Sequence, residues 1–266
     1  MPMLLPPLPT LSLLTNALSA QLPHHAATLS LSGLIDPEEY LQAPPSSSAK
    51  TDALNALELA KLASFKLPKR RRQWFTGRLC VKNAIMNYCR QYLPHLRPPA
   101  AGSLHIQNLP SGRPALLCDI PELQGLDISV SHSEEYAIAC AASGLCGIDI
   151  QKESEKVVRV RDRFCHDSEV QILQQYLPDL DRCQQLTLLW TAKEAAKKAL
   201  SQDKMPEFLA LTLVRCILLQ DGLYIFSLQQ TERISTAASP YLSVLTTPFD
   251  DYAISLTLID SEDMYA

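Results

Sequence analysis

Leu189-Trp190-Thr191-Ala192-Lys193-Glu194-Ala195-Ala196-Lys197-Lys198-Ala199 is the stretch around which the rest of the chain arranges itself. It predicts a helix: Ala, Lys, Glu and Leu are strong helix formers, and neither Gly nor Pro interrupts the chain from Gln184 to Gln202. At about 100° per residue, Trp190, Lys193, Glu194, Lys197 and Lys198 share one broad side. That side carries one aromatic ring, one carboxylate and three ammonium groups. Taken alone it reads as a solvated face, with Glu194 and Lys198 an ordinary i,i+4 ion pair contributing about 0.3 kcal/mol. What changes the reading lies elsewhere in the chain.

The chain has 266 residues, 47% of them hydrophobic, enough for one large domain or two small ones. A formal net charge of -4 gives no global attraction to nucleic acid or anionic lipid. The eight cysteines include no CxxC pair, and several sit in apolar runs such as Ala139-Cys140-Ala141. They read as reduced, buried thiols rather than a disulfide framework or zinc site. Of six histidines only His24 and His25 are adjacent, so a transition-metal site is not expected. The apolar start lacks a basic n-region and is broken by Pro2, Pro6, Pro7 and Pro9, and no apolar run reaches membrane-spanning length. A cytoplasmic protein is expected.

Residues 1–22 read as an irregular arm with a short helix over Leu11–Leu22. Ala27–Leu34 alternates as a strand, Asp36-Pro37 starts a turn or helix, and 43–48 is a Pro- and Ser-rich loop. A helix is expected from Lys50 to Ser64, with Leu54, Leu57, Leu59 and Leu62 as its apolar side. A second helix starts at Lys69-Arg70-Arg71-Arg72-Gln73-Trp74, brings Arg71, Arg72, Arg78 and Lys82 near one another, and stops before Pro94. This basic cluster could be solvated surface, an anion site or a nucleic-acid patch. The turn Asn108–Pro114 delivers Arg113 into the apolar strand Ala115–Leu117. Leu126–Ser133 alternates as a strand whose end exposes Ser131, His132 and Ser133; His132 is a core histidine or an anion contact. Tyr136–Ala142 returns as a strand of small residues. In the next strand, Gly144–Gln151, the one acid, Asp149, stands between Ile148 and Ile150. A buried carboxylate must be paired or bind metal; simple alternation would instead turn Asp149 to water. Lys152–Arg163 is charged and reads as mobile. A helix capped by Asp167 or Ser168 runs to Leu177, and after the Trp190 helix come three strand-like runs, Leu209–Leu219, Leu223–Leu228 and Tyr252–Leu258. No tandem repeat is evident residue by residue, but each half pairs a basic-faced helix with short strands. The reading is α+β: two pseudo-symmetric subdomains, 1–141 and 142–266, each a small, mostly antiparallel sheet packed with a long helix, and a site at their junction.

In order, the Arg-rich helix, the Gly112-Arg113-Pro114 turn, Ser131-His132-Ser133, Gly147-Ile148-Asp149 and Trp190-x-x-Lys193-Glu194-Ala195-x-x-Lys198 resemble the 4'-phosphopantetheinyl transferases, specifically the surfactin-synthetase type with two pseudo-repeated subdomains in one chain. The resemblance covers about Lys69 to Ala199. Each motif is weak alone; 45 residues apart between Asp149 and Glu194, they are strong together. The resemblance implies transfer of the phosphopantetheine arm of coenzyme A to a serine of an acyl or peptidyl carrier protein, releasing adenosine 3',5'-bisphosphate. It implies Mg²⁺ on Asp149 and Glu194, since this ion takes one or two carboxylates plus water and phosphate oxygens. It implies Glu194 as the base for the serine, Lys198 on the leaving phosphate, Lys193 reinforcing the phosphate grip, and Arg72, Arg78, Arg113, Ser131 and His132 around coenzyme A. A monomer should suffice, since both halves of the site lie on one chain. Two departures stand out. Gln151 occupies the position of a second metal-binding acid, leaving an amide oxygen for Mg²⁺ without added charge. Four residues rather than three separate Phe164 and Glu169, which loosens the case for Glu169 as a third site acid. Gln151 keeps open an alternative, a coenzyme A-binding protein that has lost catalysis. A nucleic-acid binder using Lys69–Arg72 and Trp74 is disfavoured by the net charge.

Overall fold

The computed structural model describes residues 9–21, 25–42, 53–201, 205–220, 222–230 and 241–260. The expected 43–48 loop and the start of the Lys50 helix lie outside them. The chain opens with α1 (Pro9–Gln21), β1 (Ala27–Gly33), α2 (Pro37–Gln42) and α3 (Ala56–Ser64), then the long α4 (Pro68–Tyr92). The hairpin β2 (His105–Asn108) and β3 (Pro114–Leu117) leads to β4 (Asp127–Ser133) and β5 (Tyr136–Ala142). The second half holds β6 (Leu145–Lys152), α5 (Glu155–Arg159), α6 (Asp167–Tyr176) and α7 (Arg182–Leu200), followed by β7 (Leu211–Gln220), β8 (Leu223–Gln230), β9 (Tyr241–Phe249) and β10 (Tyr252–Ile259).

The strands form two main sheets, β1-β5-β4 and β6-β10-β9-β8-β7, antiparallel throughout. Both faces of the central strands are buried, and their sequences are dominated by apolar and small residues accordingly. Ile138, Cys140, Ile148, Ile150, Ile254 and Leu256 fill a core between the sheets, closed by Leu14 and Leu18 of α1. On the far face of the first sheet, Ala137, Ala139 and Ala141 meet Val81, Ala84 and Ile85 of α4. On the far face of the second, α7 brings Leu188, Leu189, Ala192, Ala195 and Ala196. The architecture is thus α+β, with one main sheet and one long helix in each half.

The sheets meet at β4 and β6. Asp127, Ser129 and Ser133, alternate residues of β4, accept hydrogen bonds from the N–H groups of Cys146, Ile148 and Lys152 at 2.6, 3.1 and 2.9 Å, each 19 residues on. The constant offset means the strands run parallel and are joined through side chains rather than by a backbone ladder. The strand end read as exposed is therefore sealed: Ser131 and Ser133 are buried.

The halves also share a repeat that the sequence did not reveal. Lys82 donates to Glu58, 24 residues back, at 2.5 Å, and to the carbonyl of Ala53, 29 residues back, at 2.9 Å. Lys193 donates to Glu169, again 24 back, at 2.9 Å, and to the carbonyl of Phe164, again 29 back, at 2.5 Å. A shift of 111 residues carries Glu58 to Glu169 and Lys82 to Lys193. Each Glu also accepts the backbone N–H three residues before it, Asn55 or His166, at the start of its own short helix.

Other expectations change. The helix ending at Ser64 begins only at Ala56, because Asn55 caps it, and Leu57 and Leu59 face solvent. Lys152–Arg163 is folded, as α5 and a 3₁₀ turn anchored by buried Val157. His166, not Asp167 or Ser168, is the α6 N-cap; Asp167 instead binds Arg161. Strand β9 was not expected. Its Pro248 is tolerated because it lies beyond the last residue that β8 pairs.

Candidate active site

The site forms where α7 lies against β6. Gly147 makes this possible: a Cβ there would stand 1.8 Å from the carbonyl oxygen of Ala195. With no side chain on the strand and a row of alanines on the helix, the backbones approach closely, and Lys198, three residues after Ala195, reaches Asp149. Lys198 Nζ donates to Asp149 Oδ1 at 2.7 Å and to the carbonyl of Ile148 at 2.9 Å, and Ser131 donates to the same carboxylate oxygen at 2.6 Å. The expected Glu194–Lys198 pair is replaced by a Glu194–Lys197 contact at 3.9 Å. Burial, and then the Asp149 charge, raise the Glu194 pKa above its ordinary value, partly offset by Lys198 and Lys197. Asp149 and Glu194 therefore lie near one another, with Lys198 and Lys197 as the cations beside them. Gln151 lies on the same strand face as Asp149; its amide Nε2 donates to the Lys152 carbonyl at 3.0 Å, which leaves the amide oxygen as a donor atom. Asp149, Glu194 and this oxygen are hard ligands of the kind Mg²⁺ takes. Among the described residues, no group of three or more His, Cys, Asp or Glu could hold a metal, so protein carboxylates alone do not make a cage.

His132 borders the cleft from β4. Its Nε2 lies 3.3 Å from Arg70, and its buried Nδ1 has no hydrogen-bond partner among the described residues. Burial, then Arg70 and Lys198, push its pKa below the ordinary value, so the ring is neutral beside two cations. Arg70, at the start of α4, was part of a basic cluster in the sequence but not singled out. Only the packing of α4 against β4 brings it here.

Other residues expected around coenzyme A are held by the protein. Arg113 binds the Asp127 carboxylate and caps α7 through the carbonyls of Lys198 and Ala199, while reaching the Cys146 carbonyl at 3.3 Å. It fixes the end of the helix that carries Lys198. Lys193 is fully buried on Glu169, and Glu169 also accepts the Leu213 N–H at 2.6 Å, so this pair ties α6, α7 and β7 together away from the cleft. Burial is the main cause pulling the Lys193 pKa down, opposed by Glu169. Arg78 is buried beside Trp74, its guanidinium 5.0 Å from the ring centre and 3.6 Å from Glu58. Arg72 is on the surface, bound to Asp36 at 2.9 Å. The structure thus gathers Asp149, Glu194, Lys198, Ser131 and His132, and sets Arg72, Arg78, Arg113 and Lys193 into other contacts.

Residues 145–257 match the family model of the 4'-phosphopantetheinyl transferase superfamily. The matched span holds Asp149, Gln151, Glu194 and Lys198, and it stops short of β4 and α4. No curated protein matches the chain. Among solved structures, apo-ACPS of Chronobacterium ammoniagenes aligns with a TM-score of 0.37 and 20% identity, over 44% of this chain and 94% of that one. The ACPS–CoA complex of the same organism aligns with a TM-score of 0.35 and 18% identity, over 44% and 95%. Among the described residues, no helix is long and apolar enough to cross a membrane.

Proposed function

We propose that this protein transfers 4'-phosphopantetheine from coenzyme A to a serine of an acyl or peptidyl carrier protein. The observation that carries the reading is the convergence of Asp149, Glu194 and Lys198 on one cleft, all three inside the span matched by the superfamily model. The serine oxygen attacks the phosphorus that bears the pantetheine arm. The bond from that phosphorus to the bridging oxygen breaks, and adenosine 3',5'-bisphosphate leaves. Glu194 takes the serine proton, directly or through water; burial beside Asp149 raises its pKa toward the range where a carboxylate works as a base. Lys198 is placed to neutralise the oxygen of the leaving phosphate. Asp149, Glu194 and the Gln151 amide oxygen would hold Mg²⁺, which when bound offsets charge on the pyrophosphate. Arg70 and His132 supply the rim that would meet coenzyme A phosphates. They replace Arg78, Arg113 and Lys193 in that role, because those three are already satisfied by protein groups.

The experiment is intact-mass spectrometry of an apo carrier protein with coenzyme A and Mg²⁺, with and without EDTA. A gain of one phosphopantetheine, lost with EDTA, is expected. No gain across fatty-acid, polyketide and peptide carriers, with coenzyme A still bound by calorimetry, would refute transfer and leave the binding-only alternative, with Gln151 the first residue to restore to Glu.

A further inference from the structure

A cavity of about 560 Å³ opens between α1, β1 and α4, on the other half of the molecule from the candidate site. That is within the usual range of small-molecule sites, about 300–1,000 Å³. The internal repeat says what this cavity corresponds to. Thr28 Oγ1 donates to the carbonyl of Ala84 at 2.7 Å. The 111-residue shift carries Ala84 to Ala195, whose carbonyl faces Gly147. Thr28 of β1 therefore stands where Gly147 of β6 stands, and two residues along each strand Ser30 stands where Asp149 stands. The same shift sets Asn83 in place of Glu194 and Asn87 in place of Lys198. Ser30, Asn83 and Asn87 all line the cavity. Moreover, β1 and β6 are both edge strands of their sheets. The edge of β6 is met by β4; α1 packs beside β1 and reaches β9.

The cavity is thus the second copy of the candidate site, with each ionisable group of the first replaced by a neutral hydrogen-bonding one. Among the described residues no carboxylate lines it, so they offer a divalent cation no charged ligand. The one cation among the described lining residues, Arg90, already donates to Asn87 at 2.8 Å, which suits it poorly to a doubly charged phosphate. What remains is the amides of Asn83, Asn87 and Gln91, the hydroxyls of Ser12 and Ser30, the Thr15 hydroxyl that donates back to its own helix, and an apolar wall from α1. Such a lining matches an uncharged chain of amides and hydroxyls with an apolar backbone. We propose that this cavity is a binding site for such a chain, of the chemistry of pantetheine without its phosphate. The choice of pantetheine as ligand rests on the transferase reading; the neutral chemistry of the site does not.

The test is calorimetric titration of the full chain with pantetheine, on the wild type, Asn83→Leu, Asn87→Leu, and the Asp149→Ala/Glu194→Ala double variant. Saturable binding is expected in the wild type and in the double variant. Each leucine variant removes an amide partner and should weaken it about tenfold, with transfer from coenzyme A unchanged. Asn83 and Asn87 are half-buried at the cavity wall, so both variants should fold. No saturable binding up to about 10 mM pantetheine would overturn the inference. So would binding that survives both leucine variants and vanishes in the double variant, because the ligand would then occupy the candidate active site. Loss of the transferase reading alone would show as pantetheine binding with no carrier modified; loss of this inference alone would show as transfer without it.

Discussion

Replacing Gly147 by Ala adds a single methyl group, at the point where α7 and β6 are closest. The new Cβ would stand 1.8 Å from the Ala195 oxygen and 2.8 Å from both the Ala195 carbonyl carbon and the Ala199 nitrogen. All three are backbone atoms, so no rotamer change relieves the contact. Ordinary contact begins near 3.4 Å, which requires helix and strand to part by about 1.5 Å. Overpacking of a well-filled interior costs about 1–3 kcal/mol, and a clash with backbone belongs at the upper end. At about 2–4 °C per kcal/mol for a chain of this size, the Tm should fall by about 6–12 °C. The functional effect should be larger than the stability effect. Lys198 reaches Asp149 and the Ile148 carbonyl across this same gap at 2.7 and 2.9 Å, and a displacement of about 1 Å at reacting groups can lower a rate about 100-fold. Urea unfolding gives the stability. Carrier modification, followed by mass at a temperature where both proteins are folded, gives the rate. A Gly147→Ala protein with wild-type stability and transfer within about threefold of wild type would refute the close-approach argument, and with it the reason given for how Glu194 and Lys198 reach Asp149.

Glu194→Gln should abolish transfer while stabilising the metal-free protein. Burial and Asp149 hold the Glu194 pKa above its ordinary value, so the folded state binds the proton more tightly than the unfolded chain, and that contribution to stability is lost as pH rises through the raised pKa. The gain in Tm from Gln should therefore be present at pH 7 and disappear below the ordinary carboxylate range; a Tm unchanged or lowered at pH 7 would count against it. Lys193→Met leaves Glu169 buried and unpaired and should cost about 3–5 kcal/mol in urea unfolding, while Lys193→Met with Glu169→Gln should recover part of the loss. If that double variant instead folds well but loses coenzyme A affinity, Lys193 grips phosphate after all. Coenzyme A binding should take up protons, because an anion beside His132 raises a pKa that burial, Arg70 and Lys198 now depress. Calorimetry in buffers of different ionisation enthalpy measures the uptake, and His132→Ala should remove it.

The α+β class and the long helices were legible because Ala-, Lys- and Leu-rich runs free of Gly and Pro carry a strong local signal, and β5, β6 and β10 are short runs dominated by apolar residues. Lys193 shows where that signal stops. On a helical wheel it joins Glu194 and Lys198, but it points into the α6–β7 side of α7, and only the fold reveals Glu169 waiting there. Arg113 was legible as a turn arginine, yet its partner Asp127 and the carbonyls it caps come from β4 and α7. The alternation Asp127-x-Ser129-x-Ser131-x-Ser133 was visible as a strand pattern. Its meaning, hydrogen bonds to a parallel neighbour, depended on knowing that β6 lies alongside. The repeat escaped for a different reason: Glu58/Lys82 and Glu169/Lys193 share spacing and contacts while the residues around them differ almost everywhere.

The repeat also separates what the architecture requires from what the candidate chemistry requires. Each half holds a buried Glu–Lys pair that joins the start of a short helix to the middle of a long one. Buried ion pairs contribute weakly to stability, because desolvation offsets much of the attraction. A pair present in both halves at equal spacing is therefore best understood as a geometric device: it sets the rotation and height of the long helix over its sheet. On that common frame, the two clefts differ in charge. One holds Asp149, Glu194 and Lys198; the other holds Ser30, Asn83 and Asn87. Burial, and after it the Asp149 charge, raises the Glu194 pKa, so keeping that carboxylate ionised strains the folded protein. The second cleft avoids that strain with neutral groups, and α1 covers its strand edge. One helix frame thus supports a charged cleft in one half and a neutral cleft in the other.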